Sequence, residues 1–165
     1  LGHSGSGKST LAEILGKKYS LPVLHLDTTY WYGDWQNRTR EEQSAIVKAF
    51  MNDNCDGWVI EGNYGKICLE RFSECDCLYF LNYNRFFCLR QALARYKKYN
   101  GKVRPDCPCP EKFDAEFLFW ILFNGRTASK RKLFKRLVSL SSGEKYILKS
   151  RRQLNKHLDK LCIYQ

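Results

Sequence analysis

The chain has no apolar run that would span a bilayer: its longest, FLFWILF at residues 117–123, is seven residues, against about twenty for a membrane helix. It shows no secretory leader at its start, no low-complexity tract, no internal repeat and no linker that would divide it. The expectation is one soluble, cytoplasmic domain over residues 1–165, with no membrane partner. Proline is scarce, and three of the four prolines fall in residues 100–112, NGKVRPDCPCPEK, which marks an irregular excursion. Acidic residues thin out in the second half: residues 85–165 hold 20 Lys and Arg against 6 Asp and Glu, whereas residues 1–84 hold 8 against 11. The net charge of +11 therefore belongs to the second half. Such a field favours a polyanion, either nucleotide phosphates at a site or a nucleic-acid backbone along a surface. At this length a chain buries about 70% of its unfolded surface and needs no disulfide or metal staple. No heptad pattern sets an oligomeric state.

What is present begins at once. The opening LGHSGSGKST contains Gly2, Gly7, Lys8 and Ser9 in the spacing G-x-x-x-x-G-K-[ST], a match expected by chance on the order of once in a hundred chains of this length. In a P-loop the backbone N–H groups of residues 4–9 and the N-terminus of the next helix face the phosphates. The nucleotide cradle is then Gly2, Ser4, Gly5, Ser6, Gly7, Lys8, Ser9 and Thr10. Lys8 reaches the β- and γ-phosphates of ATP and Ser9 ligates Mg²⁺. The motif normally follows a strand, yet only Leu1 stands upstream, without an initiating Met. The expectation is that a first, apolar strand is missing or truncated. A P-loop works on cytosolic ATP, where thiols stay reduced, so Cys55, Cys68, Cys75, Cys77, Cys88, Cys107, Cys109 and Cys162 read as free. The pairs Cys75/Cys77 and Cys107/Cys109 are spaced too closely for the usual structural zinc site.

Helical spacing of Leu11, Ile14 and Leu15 gives the P-loop its helix. Strands are expected at residues 23–26, ending on Asp27, at 58–60, ending on Glu61, at 77–81 and at 145–149. Helices are expected at about 40–52, capped by Thr39 and Glu42, and at 67–74, 85–99, 113–124, 128–140 and 151–161. This alternation is that of a doubly wound parallel sheet. Asp27 and Glu61 stand at carboxyl ends of strands, where such sheets bind ligands. Either acid would hold Mg²⁺ through water, and Asp27 would alternatively deprotonate an acceptor hydroxyl. His25, on an apolar strand, reads as a satisfied core histidine. Arg71, Arg90, Arg95 and Arg104 are candidates to neutralise a transferred phosphoryl group. The aromatic run Tyr30, Trp31, Tyr32, Trp35 lies where an acceptor-binding segment would be.

The stretches GHSGSGKST, LPVLHLDTTYW, GWVIEGNY, RPDCPCPEKFDAEFLFWI and YILKSRRQLNKHL together resemble the DNA topology modulation family of small P-loop proteins, relatives of adenylate kinase and other nucleoside-phosphate and small-molecule kinases. The resemblance covers nearly the whole chain. It implies a three-layer α/β fold with a parallel sheet of order 2-3-1-4-5, helices on both faces, and a lid at about residues 96–126 with Arg90 and Arg95 at its base. It departs from the family at Glu61, where Asp is usual before Gly-Asn-Tyr. The implied activity is ATP-dependent phosphoryl transfer to a small acceptor such as a nucleotide or nucleoside, with Lys8, Asp27, Arg90 and Arg95 catalytic. Asp27, Trp31, Asn63, Tyr64 and Arg71 are the candidates for the acceptor, and Ser9 and Glu61 for the metal. The alternative is a nucleotide-binding, DNA-associated regulator using the basic stretch from Lys130 to Arg136.

Overall fold

A computed structural model of the chain describes residues 1–33 and 35–161. Its architecture is mixed α/β, about 52% helix, with small parallel sheets and no barrel. Cys162 lies outside the described residues, and the other seven cysteines form no disulfide. Among the described residues no helix is long and apolar enough to cross a membrane.

Helix α1 (Lys8–Tyr19) follows the Gly-rich loop and leads to β1 (Val23–His25), which pairs in parallel with β2 (Val59–Glu61), setting His25 opposite Glu61. A second parallel pair joins β3 (Cys77–Leu81) to β4 (Glu144–Leu148). The four strands among the described residues make two separate pairs, and a single five-stranded sheet is not shown. Between β2 and β3 run Leu1 and Gly2. The Leu1 amine donates to Tyr79 O at 2.7 Å, Leu81 N donates to Leu1 O at 2.9 Å, and Gly2 bridges Leu81. A cavity of about 580 Å³ opens there, lined by Val59 and Ile60 of β2, Leu78 and Tyr79 of β3, and Leu11 and Leu15 of α1.

A second difference concerns Asp27. The chain turns helical at Leu26, so Asp27 stands in the first turn of a short helix α2 (Leu26–Tyr30) and not at a strand end. The hydroxyls of Thr28 and Thr29 donate back to His25 O and Leu26 O, which holds this turn despite two β-branched residues. Helix α3 (Arg40–Asp53) starts as expected: the Thr39 hydroxyl accepts from Glu42 N while the Glu42 carboxylate accepts from Thr39 N. Then follow α4 (Glu70–Ser73), α5 (Arg85–Tyr99), α6 (Ala115–Leu122), α7 (Ala128–Leu140) and α8 (Arg151–Lys160). Residues 100–112 form neither helix nor strand and are pinned by isolated bridges from Asn100 to Glu111 and from Arg104 to Cys107. The core is in three parts. Leu81, Leu148, Leu154 and Leu158 anchor the largest, Leu26, Val47 and Met51 a second, and Phe72, Phe80, Phe134 and Leu137 the third.

Candidate functional site

Residues 2–9 take the backbone a phosphate cradle needs. Gly5 and Gly7 have φ of 76° and 87°, a left-handed region that side chains resist. A Cβ on Gly5 would lie 2.2 Å from Cys88 O, so the loop can approach α5 only as glycine. Ser6 N donates to His3 O at 3.0 Å and Leu11 N to Gly7 O at 3.0 Å, closing the turn into α1. That helix has no side-chain cap at its N-terminus and no acid in its first turn. Its leading N–H groups and the positive end of its dipole are therefore available to an anion. Asn63 fixes the loop from the other side: its carbonyl oxygen accepts from Gly2 N at 3.0 Å and its amide donates to Gly2 O at 2.6 Å.

Behind the cradle sits a chain of charged groups. Lys8 Nζ lies 3.3 Å from His3 O and 3.8 Å from Glu61 Oε1. The Ser9 hydroxyl donates to Glu61 Oε2 at 3.3 Å. His25 bridges two acids, with Nδ1 3.2 Å from Glu61 Oε2 and Nε2 2.8 Å from Glu13 Oε1. Burial alone would lower the His25 pKa, but the hydrogen bonds from Glu61 and Glu13 outweigh it and raise it to about 9. Burial would likewise raise Glu61, yet the His25 hydrogen bond and Lys8 hold it at about 2. His25 is thus a protonated, satisfied histidine, in line with its sequence reading, and Glu61 is a buried carboxylate in its ionised form.

Asp27 opens a different neighbourhood. Its Oδ1 accepts from the Tyr64 hydroxyl at 2.6 Å, and burial raises its pKa against that hydrogen bond. Tyr64 stacks on Tyr30 at 4.7 Å between centroids, Tyr30 meets Trp31 edge-on at 4.5 Å, and Trp31 meets Trp35 at 5.2 Å. Lys112 Nζ stands 4.7 Å over the Trp35 ring. The aromatic run is therefore a wall beside Asp27.

The candidate arginines are dispersed. Arg71 is buried with its guanidinium donating to the backbone carbonyls of Tyr64, Ile67 and Cys68. Arg90 is exposed, 5.8 Å from the Phe87 ring. Arg95 and Arg104 converge on buried Glu111: Arg95 Nε donates to Oε1 at 2.9 Å, and Arg104 Nε lies 2.7 Å from Oε2, an ion pair by distance whose N–H is not aimed at the oxygen. Arg104 Nη1 also donates to both oxygens of Asp106, at 2.7 and 2.8 Å.

Of the candidates, the structure brings together Gly2 to Thr10 with Glu61, and Asp27 with Tyr64 and Trp31. It leaves Arg90 apart and gives Asn63 and Arg71 backbone-holding contacts. Glu13, Glu111 and Arg151 escaped the sequence reading. Glu13 lies one turn beyond Ser9 on the same face of α1, a spacing of four that the sequence does display. Arg151, at the start of α8, has Nη1 3.5 Å from where a Cβ on Gly7 would stand; only the return of β4 beside β3 brings it there. Comparison with models of known protein families and with curated protein sequences gave no match to this chain.

Proposed function

We propose that the chain is an ATP-binding phosphotransferase of the adenylate-kinase-like P-loop class, moving the γ-phosphoryl of ATP to a small acceptor. The observation that carries this reading is the Gly-rich turn on an uncapped helix N-terminus, with Lys8, Ser9 and an ionised Glu61 gathered behind it. A general Gly-rich turn needs no lysine and no buried acid at that place.

In this reading backbone N–H groups within residues 4–9 hold the phosphates, the Gly2 N–H being spent on Asn63, and Lys8 leaves Glu61 for the β- and γ-oxygens. Mg²⁺ fits here as a hard cation: the Ser9 hydroxyl and the Glu61 carboxylate are adjacent oxygen donors. Among the described residues no group of three or more His, Cys, Asp or Glu would hold a metal alone, so the remaining ligands would be phosphate oxygens and water. Bound there, Mg²⁺ supplies charge neutralisation at the β- and γ-oxygens. Arg104, from residues 96–126 acting as a lid, and Arg90 and Arg95 at its base add positive charge to the moving group. The sheet of order 2-3-1-4-5, with helices on both faces, belongs to the same proposal. The contacts of Leu1 and Gly2 with β3 on one side and with Asn63 beyond β2 on the other support that order.

Titration with a fluorescent ATP analogue and an ADP-release assay test this. Lys8→Ala should lower kcat/KM by about 10²–10³; no ATP turnover above background, unchanged by Lys8→Ala, would refute it. The second reading, a nucleotide-binding, DNA-associated regulator, is favoured by one observation: α7 carries Lys130, Arg131, Lys132, Lys135 and Arg136 with no acid, and Lys130 sits 5.0 Å over Trp120. It requires duplex binding with a steep salt slope that neutralising those residues flattens.

A further inference from the structure

The identity of the acceptor follows from where the positive charge near Asp27 is spent. We infer that the acceptor is an uncharged alcohol carried on a flat ring, not a phosphate ester, and this rests on the phosphotransferase reading above. A phosphate acceptor needs free guanidinium or ammonium groups, because its two charges cannot be desolvated without them. Around Asp27 every arginine is already engaged. Arg71 donates to the carbonyls of Tyr64, Ile67 and Cys68. Arg38 donates to the carbonyls of Thr28, Thr29 and Trp31, with its guanidinium 4.3 Å from the Tyr32 centroid. Arg104 is paired with Asp106 and Glu111 and, where it exchanges them, is committed to the γ-phosphoryl and not to the acceptor; Lys112 is paired with Asp114 at 3.4 Å. To hold a phosphate, Arg71 or Arg38 would have to abandon carbonyls that would then be left without a partner.

What the same place offers instead is a carboxylate and rings. Asp27 faces Tyr64 and Glu61 from β2 and the turn after it, Lys8 from α1, and Arg104 from the 100–112 segment. Its second oxygen, Oδ2, is not the one bonded to Tyr64 and suits an incoming hydroxyl. A dianionic phosphate would meet Asp27 and Glu61 as like charges; an alcohol would not. The Tyr30, Trp31, Tyr64 and Trp35 wall provides apolar faces for a ring. In the step, the acceptor oxygen forms a bond to the γ-phosphorus as the bond from that phosphorus to the β,γ-bridging oxygen breaks. The hydroxyl proton passes to the Asp27 carboxylate and then to water, and ADP leaves with the bridging oxygen's electron pair.

Matched acceptors differing only in a phosphate test this. Adenosine, uridine and 4-hydroxybenzyl alcohol are offered with MgATP beside AMP, UMP and 4-hydroxybenzyl phosphate, and ADP release is followed together with binding of a fluorescent ATP analogue. At least one alcohol should be phosphorylated with kcat/KM about 100-fold or more above its phosphate counterpart. Asp27→Asn should cut that transfer by about 10²–10³ with the ATP analogue bound as before. Tyr64→Phe, which removes the hydrogen bond that opposes the rise in Asp27, should move the acid limb of the pH–rate profile to higher pH. Preferential phosphorylation of a monophosphate overturns the inference and leaves the phosphotransferase reading standing. Lys8-dependent ATP binding with no transfer to any alcohol also overturns it. Loss of Lys8-dependent ATP binding refutes the reading on which it rests.

Discussion

At the proposed phosphate end of the site the favourable charge comes from the backbone: glycines bend residues 2–7 and α1 presents an uncapped N-terminus. At the proposed acceptor end it comes from side chains, and those with positive charge are turned inward onto carbonyls and carboxylates. The first arrangement is fixed before any ligand arrives, since backbone N–H groups cannot reorient without unfolding the turn. The second is held by ion pairs and hydrogen bonds that a ligand would have to exchange. A preorganised donor end and an exchangeable acceptor end is the division expected when one substrate is constant and the other must be selected.

The largest effect should come from attacking the rigid end at its tightest point. Gly5→Ala places a methyl 2.2 Å from Cys88 O at a left-handed φ, so ATP-analogue binding should be abolished and the melting temperature lowered, by about 3 kcal/mol or more in stability. A folded, ATP-binding Gly5→Ala protein would show the cradle to be softer than described.

Next in size is the charge chain that joins the two ends. His25 has a folded pKa of about 9 against 6.5 unfolded, so its contribution is complete below pH 6.5 and is lost as pH rises through about 9. Glu61, at about 2 against 4.5, contributes above pH 4.5 and loses its contribution as pH falls through about 2. His3 runs the other way. Burial lowers it to about 4, so it disfavours folding below pH 6.5, most fully below pH 4. The His25 contribution should therefore fall between pH 6.5 and 9, and His25→Gln should remove that part of the pH dependence, on the order of 2 kcal/mol, in melts of the two proteins compared across that range.

The smallest effect should come from loosening the acceptor side. Glu111→Gln releases Arg95 and Arg104 from one carboxylate and should tighten tripolyphosphate binding by about twofold to fivefold, read by calorimetry. No change would mean that these arginines do not reach the phosphates.

Local chemistry made the helices readable. Thr39 and Glu42 announce α3 by a reciprocal pair of hydrogen bonds that only neighbours three positions apart can make. The Gly-rich turn was legible because its φ values admit so few residue types. What was not legible depends on contacts distant in sequence. Tyr64 meets Asp27 across 37 positions and Asn63 clasps Gly2 across 61. Arg95 and Glu111 show no local pattern that would pair them. Helix α2 hides because LDTTY has poor helix propensity and is held by hydroxyls bonding to carbonyls. Helix α6 misleads in the opposite sense: its AEFLFWIL is the most apolar of the helices, yet only Ile121 is buried while Phe119 and Trp120 stay exposed.

The cavity between β2 and β3 is bounded by two parallel strand edges, and such edges are adhesive. Gly2 is held there between the Asn63 side chain and Leu81, so the Gly-rich turn hangs from both sides of the gap at one residue. That clasp acts as a keystone: a disturbance of either pair of strands reaches the Gly-rich turn through the same residue.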